Sequence, residues 1–291
     1  MRIRDILDRK QTFSLEIFPP KGDFSVETAK GLADQIMAQT QPDWISVTFS
    51  AGGSGNSQNT IAISSQIAQS EAQTTSLAHL TCLGSSKKDV DAYAAACEEQ
   101  GVQNILALRG DHAPGREVID FEYASDLVAY LKETHPQICV GGACYPEGHV
   151  ESADLDEDIR NLKKKVDAGV DFLVTQLFFN NEDFYRFRDR CNRARIKVPI
   201  VVGIMPFTST KQIQRMAFNC GASIPAKVIK RLVAAGDDLD AQRRAGTEYA
   251  CEQLEDLAKN GVDGLHIYSM NKPQVAADTH DCLVSCGYLK A

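Results

Sequence analysis

Eight short apolar runs, rich in β-branched residues, recur along the chain and alternate with segments of helical periodicity. Strands that alternate with helices pair in parallel through right-handed crossovers. Eight such units in 291 residues are the number that closes a (β/α)8 barrel. We therefore predict an α/β fold, a single (β/α)8 TIM barrel. The runs cover residues 12–18, 43–49, 75–82, 103–109, 138–145, 170–178, 198–205 and 262–269.

A doubly wound open sheet is the competing architecture. It usually carries a glycine-rich phosphate-binding turn after its first strand, whereas Phe18, Pro19 and Pro20 occupy that position here. The lack of a glycine-rich turn at this position favours the barrel. Helices are expected at 25–38, behind Ser25 as N-cap, and at 89–100.

The interval 209–261 is too long for one helix. We expect two or three extra helices there before the last strand, one opened by Pro225 and a long one running from Ala241 to Lys259. No linker or internal repeat marks a boundary, so a single domain over residues 1–291 is expected.

Composition limits the partners. The formal net charge is −8 and no extended basic tract occurs, which disfavours nucleic acid and favours small molecules. The first residues lack a signal-peptide core, and no apolar stretch approaches the roughly 20 residues that span a bilayer. Nine scattered cysteines without a Cys-x-x-Cys pair indicate reduced thiols and a cytoplasmic protein.

Glu16 stands near the end of the first apolar run. Burial without a partner raises the pKa of a carboxyl group, which would make Glu16 an acid that keeps its proton near neutral pH. Two structural alternatives are open: an ion pair with Lys or Arg across the core, or exposure at the end of the strand.

Other polar residues also lie at predicted strand ends, where barrels carry their chemistry. Each has a structural alternative: His79 could be a satisfied core histidine, Arg109 and Asp111 a local ion pair, and Gln176 a bond to a neighbouring strand. A shared ligand is the economical partner for the whole set. The set is Glu16, Thr48, His79, Arg109, Gly110, Asp111, Tyr145, His149, Gln176, Tyr268 and Asn271.

A helix predicted near 155–168 adds a second group. Its core stripe is separate from a face that carries Asp158, Asn161 and Lys165. Such a face is commonly just solvated. Because the helix should begin at the active rim, this face could instead hold a polyhydroxy chain or a phosphate.

Phe13–Pro20, His79–Cys82 and Leu106–Asp111 belong to an ordered set of seven segments along the chain. Together the seven segments resemble the bacterial methylenetetrahydrofolate reductase family over nearly the whole chain. That family is a flavin-carrying (β/α)8 barrel, in agreement with the fold predicted from the strand count. The segments are Phe13–Pro20, Ser46–Phe49, His79–Cys82, Leu106–Asp111, Tyr145–His149, Lys164–Gly169 and Thr175–Phe179.

The resemblance implies reduction of 5,10-methylenetetrahydrofolate to 5-methyltetrahydrofolate, which supplies methyl groups for methionine synthesis. FAD would take a hydride from NADH or NADPH and pass it to the folate, with ping-pong kinetics. Opening the methylene bridge needs a proton at N10, and Glu16 matches the general acid, with a raised pKa. The family also implies a homo-oligomer. Since the chain ends near residue 291, it has no room for the regulatory domain of eukaryotic relatives, so we expect one catalytic domain without control by S-adenosylmethionine.

The resemblance assigns further residues. Asp111 would stabilise cationic folate by its charge, and Gln176 and Gln212 would contact substrate. Met216 stands where a ring-stacking Phe is common, and Lys272 where an Arg often holds the folate tail. The positions that would surround FAD are Thr48, His79, Leu108, Arg109, Gly110, Asp111, Tyr123, Ala124, Tyr145, His149, Asp158, Asn161 and Lys165.

Two other functions compete with this one. A metal-dependent barrel hydrolase could use His79, Asp111, His149 and His266 as ligands, although the sequence lacks the His-x-His pair of a binuclear site. A catalytically inactive folate- or flavin-binding barrel is the other alternative. The presence of Glu16, Asp111 and Gln176 together favours an enzyme.

Overall fold

Eight parallel strands form a closed barrel in which each strand pairs with its neighbours in chain order. The computed structural model describes residues 1–19, 25–49, 54–112 and 118–290, so Pro20 of the first motif lies outside it. The predicted TIM barrel is confirmed. The strands are β1 (Thr12–Ile17), β2 (Trp44–Val47), β3 (Thr75–Thr81), β4 (Asn104–Leu108), β5 (Cys139–Cys144), β6 (Phe172–Thr175), β7 (Ile200–Ile204) and β8 (Gly264–Tyr268).

Helices cover the outside of the barrel. The Ser25 hydroxyl caps α2 by accepting a hydrogen bond from the Thr28 amide, as its position predicted. Asp154 caps α6 in the same way, through the Glu157 amide. The described helices are α1 (Ile3–Leu7), α2 (Val26–Thr40), α3 (Ser54–Gln69), α4 (Lys87–Glu99), α5 (Ala124–Thr134), α6 (Leu155–Asp167), α7 (Asn181–Arg193), α8 (Thr210–Cys220), α9 (Ala226–Ala235), α10 (Leu239–Lys259) and α11 (Pro273–Ser285).

The extra helices before the last strand are also confirmed. Three described helices, α8 to α10, lie between β7 and β8, with Pro225 at the N-cap of α9. Their apolar faces meet in one buried cluster, which contains Phe207, Ile213 of α8 and Tyr249 of α10. This cluster fixes α8, whose Met216 and Cys220 reach the central cavity described below.

Gly246 allows α10 to pack directly on the backbone that follows β7. A Cβ atom built on Gly246 would lie 1.8 Å from the carbonyl oxygen of Phe207. Only glycine, which has no Cβ atom, can pack this close to the Phe207 carbonyl oxygen. The contact positions α10 against the segment that leads into α8.

The barrel interior is apolar at its lower end. Trp44, Leu106 and Phe172 belong to one buried cluster, together with Ile3 of α1. Leu106 also lines the floor of the central cavity, so the cluster supports the functional site from below. No helix among the described residues is long and apolar enough to cross a membrane.

The prediction that all cysteines are reduced thiols is wrong in one respect. Cys251 of α10 and Cys282 of α11 form a disulfide, with their Cα atoms 5.8 Å apart. The two outer helices pack side by side, which brings cysteines 31 positions apart in the chain into bonding geometry. The other seven cysteines are free, five of them buried.

Candidate active site

A central cavity of about 410 Å³ opens at the carboxyl ends of the strands. Residues from the ends of β1, β2, β3, β4, β6 and β8 line it, as the barrel architecture predicted. The predicted residues that it brings together are Glu16, Thr48, His79, Leu108, Arg109, Gly110, Asp111, Tyr145, His149, Gln176, Met216 and Tyr268.

Glu16 lies at the floor of this cavity. In the barrel register it is opposite Ser46 of β2 and Tyr268 of β8. Its side chain is 21% exposed, and its Oε2 atom lies 3.6 Å from His79 Nε2 and 3.9 Å from His266 Nε2. No Lys or Arg is within ion-pair distance of Glu16 among the described residues, so the core ion pair considered from the sequence does not form there.

A chain of hydrogen bonds leads from Glu16 into the barrel. The Ser46 hydroxyl donates to Glu16 Oε2 at 3.3 Å and lies 3.4 Å from His266 Nε2. On the other side of the imidazole ring, Nδ1 lies 2.9 Å from the Ser14 hydroxyl. With the proton of His266 on Nε2, every step of this chain has a donor and an acceptor, and Trp44 stacks on the ring at 4.8 Å.

The expected rise in the pKa of Glu16 is wrong. Burial raises the pKa of Glu16, but hydrogen bonding to His266, the charges of His79 and His266 and the Ser46 hydroxyl outweigh burial and lower it. The charge of His79 acts only when that ring is protonated, whereas the hydrogen bonds from Ser46 of β2 and His266 of β8 stabilise the carboxylate also at pH 7.

His79 is a buried histidine whose Nε2 atom has no hydrogen-bond partner among the residues that the structure describes. Burial lowers the pKa of His79 to about 4, against the opposing effect of the Glu16 charge. The ring is therefore neutral at pH 7. A buried, unpaired ring nitrogen is costly, and a ligand in the cavity could satisfy it.

A lateral cavity of about 590 Å³ adjoins the central one. The two share part of their walls, including Leu108, Arg109, Tyr145 and His149. Tyr123 and Ala124, at the start of α5, form another wall of the lateral cavity. Together the two cavities make an elongated space along the barrel rim.

The polar face of α6 lines this lateral cavity, and is more than a solvated surface. Asp158 is buried and accepts hydrogen bonds from the His149 amide at 3.2 Å and the Ser152 hydroxyl at 3.3 Å. Lys165 Nζ donates to the Ala143 carbonyl at 2.7 Å, and burial lowers the pKa of Lys165. Asn161, one turn from each of them, is exposed at the cavity edge.

Arg109 stands between the two cavities and is held by Glu151. Its Nη1 and Nη2 atoms donate to the two carboxylate oxygens at 2.5 and 2.8 Å. Its Nε atom donates to the Gly110 carbonyl at 3.2 Å. The hydrogen bond with Glu151 raises the pKa of Arg109 and lowers that of Glu151.

Two predicted substrate contacts, Gln212 and Lys272, do not line either cavity in the described part of the chain. They meet instead at Thr208, whose hydroxyl accepts a hydrogen bond from Lys272 Nζ at 3.0 Å and donates to Gln212 Oε1 at 2.9 Å. Asn271, another candidate from the rim, uses its amide on the backbone of Phe18. Its role is to hold the end of β1.

Sequence reasoning missed several residues of the site. Ser46 and Thr48 share the inward face of the second apolar run, and this period-two alternation could have identified Ser46. The sequence suggests His266 only as a metal ligand, although the same alternation pairs it with Tyr268. Cys220, Met270 and Glu151 also line the cavities, and no local sequence signal marked them.

The ligands proposed for a metal-dependent hydrolase do not form a cluster. No group of three or more His, Cys, Asp or Glu side chains in the described ranges has a geometry that could hold a metal ion. His266 is enclosed by Ser14, Ser46 and Trp44. The geometry does not favour this alternative.

A solved structure has the same fold. The chain aligns with an uncharacterized protein from Clostridium thermocellum that binds two copies of 5-methyl-5,6,7,8-tetrahydrofolic acid, with a TM-score of 0.68 and 16% identity. The alignment covers 99% of this chain and 100% of that protein. At this low identity the likeness establishes the fold alone.

Sequence relatives identify the family. Methylenetetrahydrofolate reductase 1 of Schizosaccharomyces pombe is 38% identical over 268 residues, 90% of this chain but 44% of the yeast protein. The 5,10-methylenetetrahydrofolate reductase of Escherichia coli is 34% identical over 263 residues, 90% of this chain and 87% of the bacterial protein. The family model described as methylenetetrahydrofolate reductase matches residues 2–282. The chain therefore belongs to the methylenetetrahydrofolate reductase family.

Proposed function

We propose that this protein reduces 5,10-methylenetetrahydrofolate to 5-methyltetrahydrofolate, with NADH or NADPH as electron donor and FAD as cofactor. The proposal rests on family membership and, above all, on one observation: Glu16, Asp111 and Gln176 line a single cavity that adjoins an elongated second one. A homo-oligomeric state and a cytoplasmic location stay predictions from the sequence.

The residues of the two cavities fit a flavin dinucleotide. The Nε2 atom of His79, which has no hydrogen-bond partner in the described part of the chain, offers a buried polar contact to a ring system in the central cavity. Arg109 and Lys165 bring positive charge to the walls of the lateral cavity, and the Asp158 carboxylate can accept from hydroxyl groups of a ribityl chain. Tyr123 and Ala124 would bound the far end.

When bound, FAD would supply hydride transfer from the nicotinamide and then to the folate. One site serving both partners in turn predicts ping-pong kinetics. The chain's own task is to hold the two partners successively in the same orientation and to manage protons at the folate.

Glu16 would deliver the proton that opens the methylene bridge at N10. The surrounding side chains lower its pKa, so it must gain a proton when substrate binds. A folate lying over the 21% of the side chain that is exposed would remove water and strengthen the burial effect, which raises the pKa of Glu16. The Ser46 and His266 chain would hold the carboxyl in position while it exchanges this proton.

Asp111 and Gln176 would act on the pterin. The Asp111 carboxylate, at the rim of the cavity, favours a cationic folate by its charge. Gln176 Oε1 accepts a hydrogen bond from the Leu177 amide at 2.9 Å, which orients the side chain and leaves its NH2 group to donate to the folate.

Separate half-reactions test this function. The purified protein should carry a yellow flavin that NADH or NADPH bleaches without oxygen, and added methylenetetrahydrofolate should then restore the colour with formation of 5-methyltetrahydrofolate. A protein that binds flavin but leaves the folate unreduced would contradict the proposal. Comparing the two nucleotides in the first step gives the donor preference.

A further inference from the structure

Glu151 occupies the end-on fork of the Arg109 guanidinium group, which the two Nη atoms form. Both Nη atoms donate to its two oxygens, and Nε is bound to the Gly110 carbonyl. An anionic ligand that uses the Arg109 fork must therefore replace the Glu151 carboxylate. We propose that Glu151 acts as an internal competitor that must leave Arg109 when a diphosphate group binds, and so sets the affinity of the site for diphosphate ligands.

Arg109 is the cation of the lateral cavity best suited to such an exchange. Lys165 is committed to the Ala143 carbonyl, and Lys164 is exposed and donates to Asn161 Oδ1 at 3.2 Å. The planar guanidinium group binds phosphate through two parallel hydrogen bonds, as it now binds the carboxylate.

Glu151 differs from the other carboxylates in the cavity wall. Asp158 is buried and holds the His149 amide, and Glu157 accepts from the Ala153 amide at 2.6 Å. Glu122 has no ion pair with Arg109 among the described residues. Glu151 is thus the carboxylate that an incoming phosphate must displace from Arg109.

The exchange requires movement of one side chain. The backbone from His149 to Glu151, between β5 and α6, is held by two hydrogen bonds. The Glu151 amide donates to His149 Nδ1 at 3.2 Å, and the His149 amide donates to the Asp158 carboxylate. The Glu151 side chain is 52% exposed, whereas that of Arg109 is 18% exposed. Glu151 can therefore rotate into water while Arg109 stays in place.

The charges of the wall explain why this competitor matters. Unless Glu151 leaves, a diphosphate meets more carboxylates than cations among the described lining residues. The carboxylates are Glu122, Glu151, Glu157 and Asp158, and the cations are Arg109, Lys164 and Lys165.

Titrating the 291-residue chain, freed of flavin, with three probes tests this inference, which rests in part on the proposed flavin site. The probes are FAD, riboflavin and inorganic pyrophosphate, and the variants are Glu151→Gln and, as matched control, Glu122→Gln. Glu151→Gln should bind FAD and pyrophosphate about tenfold more tightly, since it removes a charge that competes for one bidentate contact. Riboflavin, which has no phosphate, should bind the variant and the wild type alike.

The outcomes separate the two proposals. Tighter pyrophosphate binding to Glu151→Gln, with no flavin bound by any form of the protein, would support the competitor and overturn the flavin site. Unchanged or weaker binding of pyrophosphate by Glu151→Gln would overturn the competitor, whatever the flavin does. An equal gain for Glu122→Gln would also overturn it, because a general change in cavity charge would then explain the effect.

Discussion

His79 Nε2 lies 3.6 Å from Glu16 Oε2, just beyond hydrogen-bond distance, at the floor of the central cavity. Both side chains are largely enclosed by the barrel, and the imidazole is neutral at pH 7 because burial lowers the pKa of His79 to about 4. The protein thus keeps a neutral base beside an ionised acid. This pair makes both stability and catalysis sensitive to pH.

Stability should fall as the pH drops from 6.5 to 4, in part because of His79. The unfolded chain binds a proton to this histidine near pH 6.5, while the folded protein resists it down to about 4. The unfolded state therefore holds more protons in this window, which costs about 2 kcal/mol of unfolding free energy at pH 5. Urea unfolding at pH 7 and pH 5 measures the loss.

A His79→Gln variant should lose that share of the pH dependence. His112→Gln, at an exposed position, is the control and should keep the wild-type difference between the two pH values. An unchanged difference in the His79 variant would show that the imidazole does not resist protonation.

Replacing Glu16 by Gln should separate the two half-reactions. Gln keeps the shape of the side chain but cannot deliver a proton, so folate reduction should slow by roughly a hundredfold or more. Flavin reduction by NADH needs no such proton and should stay within about twofold of wild type on the same grounds. Stopped-flow absorbance of the flavin follows both steps. Full folate turnover in this variant would remove Glu16 from the role of general acid.

Ser46→Ala should change the pH profile of folate reduction. The Ser46 hydroxyl donates to Glu16 and lowers the pKa of its carboxyl, so removing it should raise that pKa. The limb of the profile that depends on protonated Glu16 should then move to higher pH. Ser14→Ala, at the far end of the hydrogen-bond chain, should move it less.

If Ser46→Ala lost rate equally at every pH, without a shift of the pH profile, Ser46 would have only a packing role. The profile therefore distinguishes a positioning residue, which acts through Glu16, from a residue that merely supports the barrel.

Much of this architecture could be predicted from the sequence because its signals are local. Alternation of apolar runs with helical periods gave the barrel, and the rule that barrel chemistry follows strand ends led to Glu16, His79 and Arg109. Pro225 marked a helix start because proline is tolerated there.

The rest depends on contacts between distant segments. Ser46 is 30 positions from Glu16 and 220 from His266, and only barrel closure brings the three together. The lowered pKa of Glu16 follows from those neighbours, whereas its own segment suggested only the effect of burial. The Cys251–Cys282 disulfide was missed for the same reason, since it depends on how two outer helices pack.

Gly246→Ala should destabilise the fold strongly although it is a helix position where Ala is the better helix former. The added Cβ atom would lie 1.8 Å from the Phe207 carbonyl oxygen, so α10 must shift away from the segment that leads to α8. Overpacking of this kind costs about 3 kcal/mol. Gly31→Ala is the matched control, because its Cβ atom in α2 would have no atom within 4 Å. That variant should gain about 0.5 to 1 kcal/mol. Urea unfolding of both variants measures the contrast, and equal stability would mean that α10 does not rest on Phe207.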